Sequence, residues 1–164
     1  MISKYSKKKI TTNFFIIILI FFFDRITKIL VLNLDKKKLE QELFTSTFID
    51  ISLIWNNGIA FGLLSFDENY IYNILTFIII IIILVLFFIA SKSEKLQKFS
   101  YLIIIGGALG NLFDRILYKS VPDFIDIHFN GFHWFIFNIA DIFITIGVIC
   151  LIYDEIFLQK KIND

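Results

Sequence analysis

Carboxylates and carboxamides set within or at the edge of apolar runs are the side chains through which this chain could do chemistry. Asn111, Asp114 and Arg115 fall at i, i+3 and i+4 of the stretch GGALGNLFDR, so one helix face carries all three. Pro122 follows and disfavours helix at the residue before it. Asp123 stands just beyond, with Asp126 three residues further on, and Asn138 and Asp141 share one face of the last apolar run. Polar groups in such surroundings are costly and by default mark a working site. Two carboxylates held together cannot both ionise cheaply; one keeps a proton while the other stays charged, and the pair titrates as a unit. The charged member can activate a water while the protonated member protonates a peptide carbonyl. Nearby asparagines can hydrogen-bond an extended peptide backbone, which needs partners inside lipid. This is the chemistry of an aspartic peptidase. Residue types alone leave Asp123 and Asp126 as rival candidates for one member of the pair, whereas Asp141 is distinguished by lying within an apolar span.

The elements that must hold these side chains are membrane helices. Hydrophobic residues make up 57% of the 164 and mean hydropathy is +0.78, above the roughly 45–50% of ordinary globular domains. A net charge of +1 gives no global attraction to nucleic acid, and the single cysteine, Cys150, excludes an intrachain disulfide. Four spans are predicted at about 12–32, 70–90, 99–117 and 135–153; the second has 21 residues and no charge, close to the ~20 needed to cross. The first is interrupted by Asp24, Arg25 and Lys28, and no small-residue cleavage site follows it, so it is expected to be a retained helix rather than a removed signal peptide. Residues 33–69 read as a polar connection in which Ile49, Ile51, Leu53 and Trp55 alternate with polar residues as a short strand, followed by the turn residues Asn56-Asn57-Gly58. No repeat or second domain is evident, so one integral-membrane domain is expected over 1–164.

Four spans place both termini and the 91–98 loop on one side with nine lysines, against four lysines on the other. The positive-inside bias then puts the termini in the cytoplasm and Asp123 at the outer face. Seven positions below Trp134, Asp141 should lie about 10 Å into the fourth helix, level with Asp123 if the connecting segment folds back. Simpler roles stand beside these. Asp24 and Lys28 form an i, i+4 helix pair; Gly106, Gly107 and Gly110 suit close helix packing; Trp55 and Trp134 suit the membrane interface; and Lys36, Lys37 and Lys38 suit a headgroup-facing surface. His128 and His133 are too few to make a zinc set. A transporter would spread ionisable groups across the bilayer, but the second span has none and most others gather toward the outer half. A noncatalytic assembly subunit would need GGALG but not the asparagines and paired carboxylates.

Four stretches, in order, resemble the bacterial lipoprotein signal peptidases (signal peptidase II) over nearly the whole chain. Asp24-Arg25-Ile26-Thr27-Lys28 resembles that family's D-x-x-[ST]-K, and Asn56-Asn57-Gly58-Ile59-Ala60-Phe61 its N-x-G-A-A-F. Asn111, Asp114, Arg115, Val121, Asp123 and Phe124 match G-N-x-x-D-R followed by V-x-D-F, and Phe137 to Asp141 match F-N-x-A-D. The resemblance implies an aspartic endopeptidase of four transmembrane helices, with a small extracytoplasmic β region between helices 1 and 2. It implies removal of signal peptides from diacylglyceryl-modified prolipoproteins by cleavage before the lipidated cysteine, without metal or other cofactor. It assigns Asp123 and Asp141 as the catalytic pair, thereby setting Asp126 aside, and Asn56, Asn111, Arg115 and Asn138 as substrate-binding groups. Asp24, Lys28, Gly58 and Asp114 are implied as structural support. The implied setting is the bacterial inner membrane, as a monomer whose partners are lipidated prolipoproteins and membrane lipids. Ile59, Lys119, Pro122 and Ile142 depart from the family's usual residues: Ala, Gly, Val and Ser or Thr.

Overall fold

In a computed structural model of the chain, residues 4–38, 43–58 and 69–158 are described. In chain order the elements are α1 (Lys4–Lys38), β1 (Phe44–Thr45), β2 (Ile49–Asn56), α2 (Asn69–Lys92), α3 (Lys95–Tyr118), β3 (Val121–Phe129), β4 (Phe132–His133) and α4 (Ile139–Tyr153), with a π-helical turn, Asp154–Leu158, continuing α4. The result is mostly helical with one small antiparallel sheet, in the order β1-β2-β3-β4. Among the described residues two helices, over Tyr72–Lys92 and Lys95–Tyr118, are long and apolar enough to cross a membrane by length and composition.

α3 is the central helix and packs against α1, α2 and α4. Its small residues permit this. A Cβ on Gly106 would meet Ile20 Cβ of α1 at 2.9 Å, one on Gly107 would meet the Ala140 carbonyl of α4 at 2.5 Å, and one on Gly110 would meet the Asp24 carboxylate at 2.5 Å. Packing is therefore the role of all three glycines. The outward faces are apolar in the opposite sense, with Phe14, Phe22, Phe77, Leu84, Phe88 and Ile149 exposed along α1, α2 and α4. Such a belt has no water-compatible explanation at this extent.

Several boundaries differ from those read in the sequence. α1 continues through residues 33–38, which lack Pro or Gly and are dominated by the good helix formers Leu and Lys. The β region is not confined to 33–69, because β3 and β4 come from the segment between α3 and α4. α3 ends before Pro122 exerts any effect: Lys119 takes a left-handed conformation, φ 60°, and its N–H donates to the Arg115 carbonyl. Glycine is the residue that adopts this cap without strain, which gives a physical reason for the Gly usual at this place in the resembled family. α4 starts at Ile139 rather than 135, and residues before it are extended: Phe137 and Ile125 exchange backbone hydrogen bonds of 2.8 and 3.0 Å.

The alternation expected in β2 also breaks. β2 pairs with β3 through Ile51↔Ile125 and then Ile54↔Asp123, so β2 advances three residues while β3 advances two. This bulge turns Asn56 onto the face of β3 that carries Asp123, whereas an unbroken strand would have turned Trp55 there. Trp55 instead lies half-exposed against the Tyr118 ring, 5.4 Å between centroids.

Candidate active site

Two short segments, each fixed by backbone pairing, bring Asp123 and Asp141 into one buried network. Asp123 is the third residue of β3, and the Ile125–Phe137 pairing ties that strand to the residue just before Asn138. Asn138 is the N-cap of α4: its Oδ1 accepts the Asp141 N–H at 3.2 Å, while Asp141 Oδ2 accepts the Asn138 N–H at 3.2 Å. This reciprocal capping box satisfies two otherwise orphaned donors and locks both side chains. Asp141 is therefore in the first helical turn, at the mouth of α4, and not 10 Å inside it; the expected depth assumed a helix that begins four residues too early. The helix dipole favours negative charge at such a position.

The remaining oxygens are taken by asparagine amides. Asn138 Nδ2 donates to Asp123 Oδ1 at 2.6 Å and Asn56 Nδ2 to Asp123 Oδ2 at 2.8 Å, while Asn111 Nδ2 donates to Asp141 Oδ1 at 2.8 Å. Asp123 is 2% exposed, Asp141 4% and Asn138 0%. Burial pushes the Asp123 carboxyl up to about 6, helped by the nearby Asp141 charge and opposed by the Asn56 and Asn138 hydrogen bonds and the Lys28 charge.

Behind the pair lies an ion cluster joining α1 and α3. Lys28 Nζ contacts Asp24 Oδ1 at 3.0 Å, Asp114 Oδ2 at 2.7 Å and Asn111 Oδ1 at 2.9 Å. Arg25 adds contacts to Asp114 Oδ1 at 2.6 Å and Asp24 Oδ2 at 3.4 Å, with its guanidinium 5.0 Å from the Phe113 ring. Asp24 Oδ1 also accepts the Ala140 N–H at 3.1 Å, so α1 helps cap α4. Arg25 enters the sequence reading only within a motif and not as a member of the site; two cations and two anions in two separate apolar spans are the signal that points to it. Arg115 is set to one side: Nη2 donates to the Gly58 carbonyl at 2.6 Å, and Gly58 N–H donates to Asn56 Oδ1 at 2.8 Å. Arg115 thus holds the turn that holds Asn56. Its Nε and Nη1 are buried without hydrogen-bond partners among the described residues. Ile59, Ala60 and Phe61 lie outside the described residues.

Asp126 faces away from this network. It lies on the opposite face of β3 and contacts His133 Nδ1 at 2.7 Å. His128 Nε2 is 3.1 Å from Asp50 Oδ2, and the two histidine rings stack 5.0 Å apart. Among the described residues no group of three or more His, Cys, Asp or Glu side chains is arranged to hold a metal ion. Beside the pair, a groove of about 240 Å³ is lined by Ile127, Trp134, Phe137, Ile142, Ile146 and Asp141 itself. A buried carboxylate pair, amide donors and an adjoining apolar groove can together activate water against an apolar peptide.

Residues 16–157 match the family described as signal peptidase (SPase) II. A lipoprotein signal peptidase of Pelagibacter ubique (strain HTCC1062) is 49% identical over 139 residues, 85% of this chain and 84% of that protein. One from Burkholderia thailandensis is 36% identical over 136 residues, 82% of this chain and 81% of that protein. A solved structure described as a bacterial membrane enzyme at 2.3 Å resolution superposes with a TM-score of 0.76 at 30% identity, covering 94% of this chain and 92% of its own. A second, at 1.9 Å resolution, gives a TM-score of 0.72 at 33% identity, covering 90% and 94%.

Proposed function

This chain belongs to the signal peptidase II family, and on that premise we propose that Asp123 and Asp141 are the catalytic pair of an aspartic endopeptidase acting on prolipoproteins. The observation that carries the reading is that one buried residue, Asn138, joins the two carboxylates: its side-chain amide donates to Asp123 and its backbone N–H to Asp141. Water lodged between them is activated by the charged carboxylate while the protonated one polarises the scissile carbonyl. Tetrahedral collapse then returns a proton to the leaving amine. A carboxyl raised to about 6 holds its proton far more readily than a free one, which suits the acid member. Asn56, Asn111, Arg115 and Asn138 orient the peptide; Asp24, Lys28, Gly58 and Asp114 hold the frame. The apolar groove beside Asp141 suits a substrate that arrives from the bilayer with a diacylglyceryl group, cut just before the lipidated cysteine.

The reading extends to the whole chain as one membrane domain, 1–164, with four spans and an active site at the outer face of the inner membrane. α1 fails a simple hydropathy test because of Asp24, Arg25 and Lys28, yet all three are buried against neighbouring helices rather than exposed. α4 and its π-helical turn make twenty residues, about 30 Å at ~1.5 Å each, which matches the hydrocarbon core. The protein works as a monomer on prolipoproteins within membrane lipid. Purified Asp123→Asn and Asp141→Asn variants, incubated with a diacylglyceryl-modified prolipoprotein, should each lose at least about 100-fold in kcat, read as mass loss of the substrate. Asp126→Asn should retain substantial turnover. Near-normal kcat in either of the first two would overturn the aspartic mechanism.

A further inference from the structure

Lys28 is 0% exposed; its ammonium donates to Asp114 at 2.7 Å and to Asn111 at 2.9 Å and pairs with Asp24 at 3.0 Å. An ammonium donates and cannot accept, so the Asn111 atom facing it must be the carbonyl oxygen. The amide nitrogen of Asn111 is thereby turned toward Asp141, to which it donates at 2.8 Å. Asn138 Nδ2 reinforces the same direction by donating to Asn111 Oδ1 at 3.2 Å. Rotating the Asn111 amide by half a turn would break both contacts and set an N–H against the ammonium.

The consequence falls on one carboxylate of the pair. Asp141 receives a fixed amide donor on Oδ1, a backbone donor on Oδ2, and the N-terminal dipole of α4. Asp123 sits in a strand, and neutral side-chain amides are its hydrogen-bond donors. We propose that Lys28 is a positioning residue of the reaction: by fixing the direction of the Asn111 amide, it assigns the negative charge of the pair to Asp141 and leaves the proton to Asp123. Asp141 is then the group that takes a proton from water, and Asp123 the group that donates to the peptide carbonyl. The charged groups around Lys28 are Asp24 and Arg25 of α1 and Asp114 of α3, with Asp141 and Asp123 beyond Asn111. Lys28, Arg25, Asp24 and Asp114 carry formal charges that cancel, so the effect on the pair is local and depends on the direction of the amide.

This inference rests on the reading of Asp123 and Asp141 as the catalytic pair, and its test separates the two. Lys28→Met leaves a buried carboxylate short of a partner and endangers folding. The double variant Lys28→Met/Asp114→Asn removes one charge of each sign and leaves Arg25 with Asp24. Both variants and Lys28→Arg are compared with the parent enzyme on a lipidated prolipoprotein in detergent, with folded enzyme quantified and kcat and KM followed against pH. The expected result for the double variant is a fall in kcat of about 10- to 100-fold, the scale of a misplaced catalytic group, with KM changed less than about threefold. The limb of the kcat/KM profile on which Asp123 loses its proton should move, because the Asn111 amide that distinguishes Asp141 from Asp123 is no longer held in one direction. Lys28→Arg, which keeps charge and donors, should recover part of kcat. A folded double variant with parental kcat and an unmoved profile would overturn the proposal and leave Lys28 as packing alone. Turnover in Asp123→Asn or Asp141→Asn would instead remove the pair itself.

Discussion

Asp123 sits where a carboxylate is expensive, and that cost has a measurable sign. In the unfolded chain its carboxyl titrates near the ordinary 3.8, whereas in the folded protein it titrates at about 6. Between those values the folded state binds more protons than the unfolded one, so stability falls as pH rises from about 4 to about 6 and stays lower above it. The gap corresponds to roughly 3 kcal/mol at neutral pH. Asn in its place carries no charge but turns an N–H toward one of two amide donors, which returns about 1–2 kcal/mol of that gain. Asp123→Asn should therefore be more stable than the parent by about 1 kcal/mol at pH 7, with the difference vanishing or reversing near pH 4. Thermal unfolding in detergent across that range checks it. A variant less stable than the parent at pH 7 would mean that the two amides hold the carboxylate better than burial penalises it.

At the scale of elements, catalysis depends on how closely α4 approaches α3. Gly107 has the Ala140 carbonyl where its Cβ would be, and a backbone atom cannot rotate aside. Gly107→Ala should push the first turn of α4 outward, taking Asn138 and Asp141 with it. A shift near 1 Å would lower kcat by about 100-fold, while the gain of ~1 kcal/mol in helix propensity from Gly to Ala offsets part of the packing loss. Kinetics beside thermal melting would show it: kcat should collapse in a variant that still melts cooperatively, and unchanged kcat would rule out this coupling. The glycines were legible in sequence because small residues spaced along an apolar helix have few other uses. So were Asp123 and Asp141, through the motifs around them. The bulge in β2 was not, since a one-residue shift between Ile51 and Ile54 is decided by the partner strand. Nor was the true start of α4, because Phe135 and Phe137 are apolar enough to extend a helical pattern even though the Ile125–Phe137 pairing holds them extended. β3 did leave a trace: Ile125, Ile127 and Phe129 alternate with Asp126 and His128, the period-2 pattern of a strand. The ion cluster was hidden for a different reason, since Lys28 lies 83 and 86 residues from Asn111 and Asp114.

For the whole molecule, the sheet marks one of the two ends of the helices. β1 and β2 lie between α1 and α2, and β3 and β4 between α3 and α4, so the sheet and the carboxylate pair occupy one end of the helices. The N-terminal start of α1, the Ser93–Glu94 link and the end of α4 occupy the other. Among the described residues seven lysines (Lys4, Lys7, Lys8, Lys9, Lys92, Lys95 and Lys98) fall at that second end and four at the sheet end, from which the positive-inside bias predicts an external sheet end. The run Lys36, Lys37 and Lys38 counts against this, but it closes the last turn of α1, where cations are favoured by the helix dipole whatever the orientation. On a Cys150→Ser background, single cysteines at positions 36 and 130 should therefore react with a membrane-impermeant maleimide added to intact cells. A cysteine at 95 should react only after permeabilisation. Labelling of 95 from outside, with 36 and 130 protected, would invert the molecule and put Asp123 and Asp141 at the cytoplasmic face, where substrate whose lipidated cysteine lies at the outer surface could not reach them.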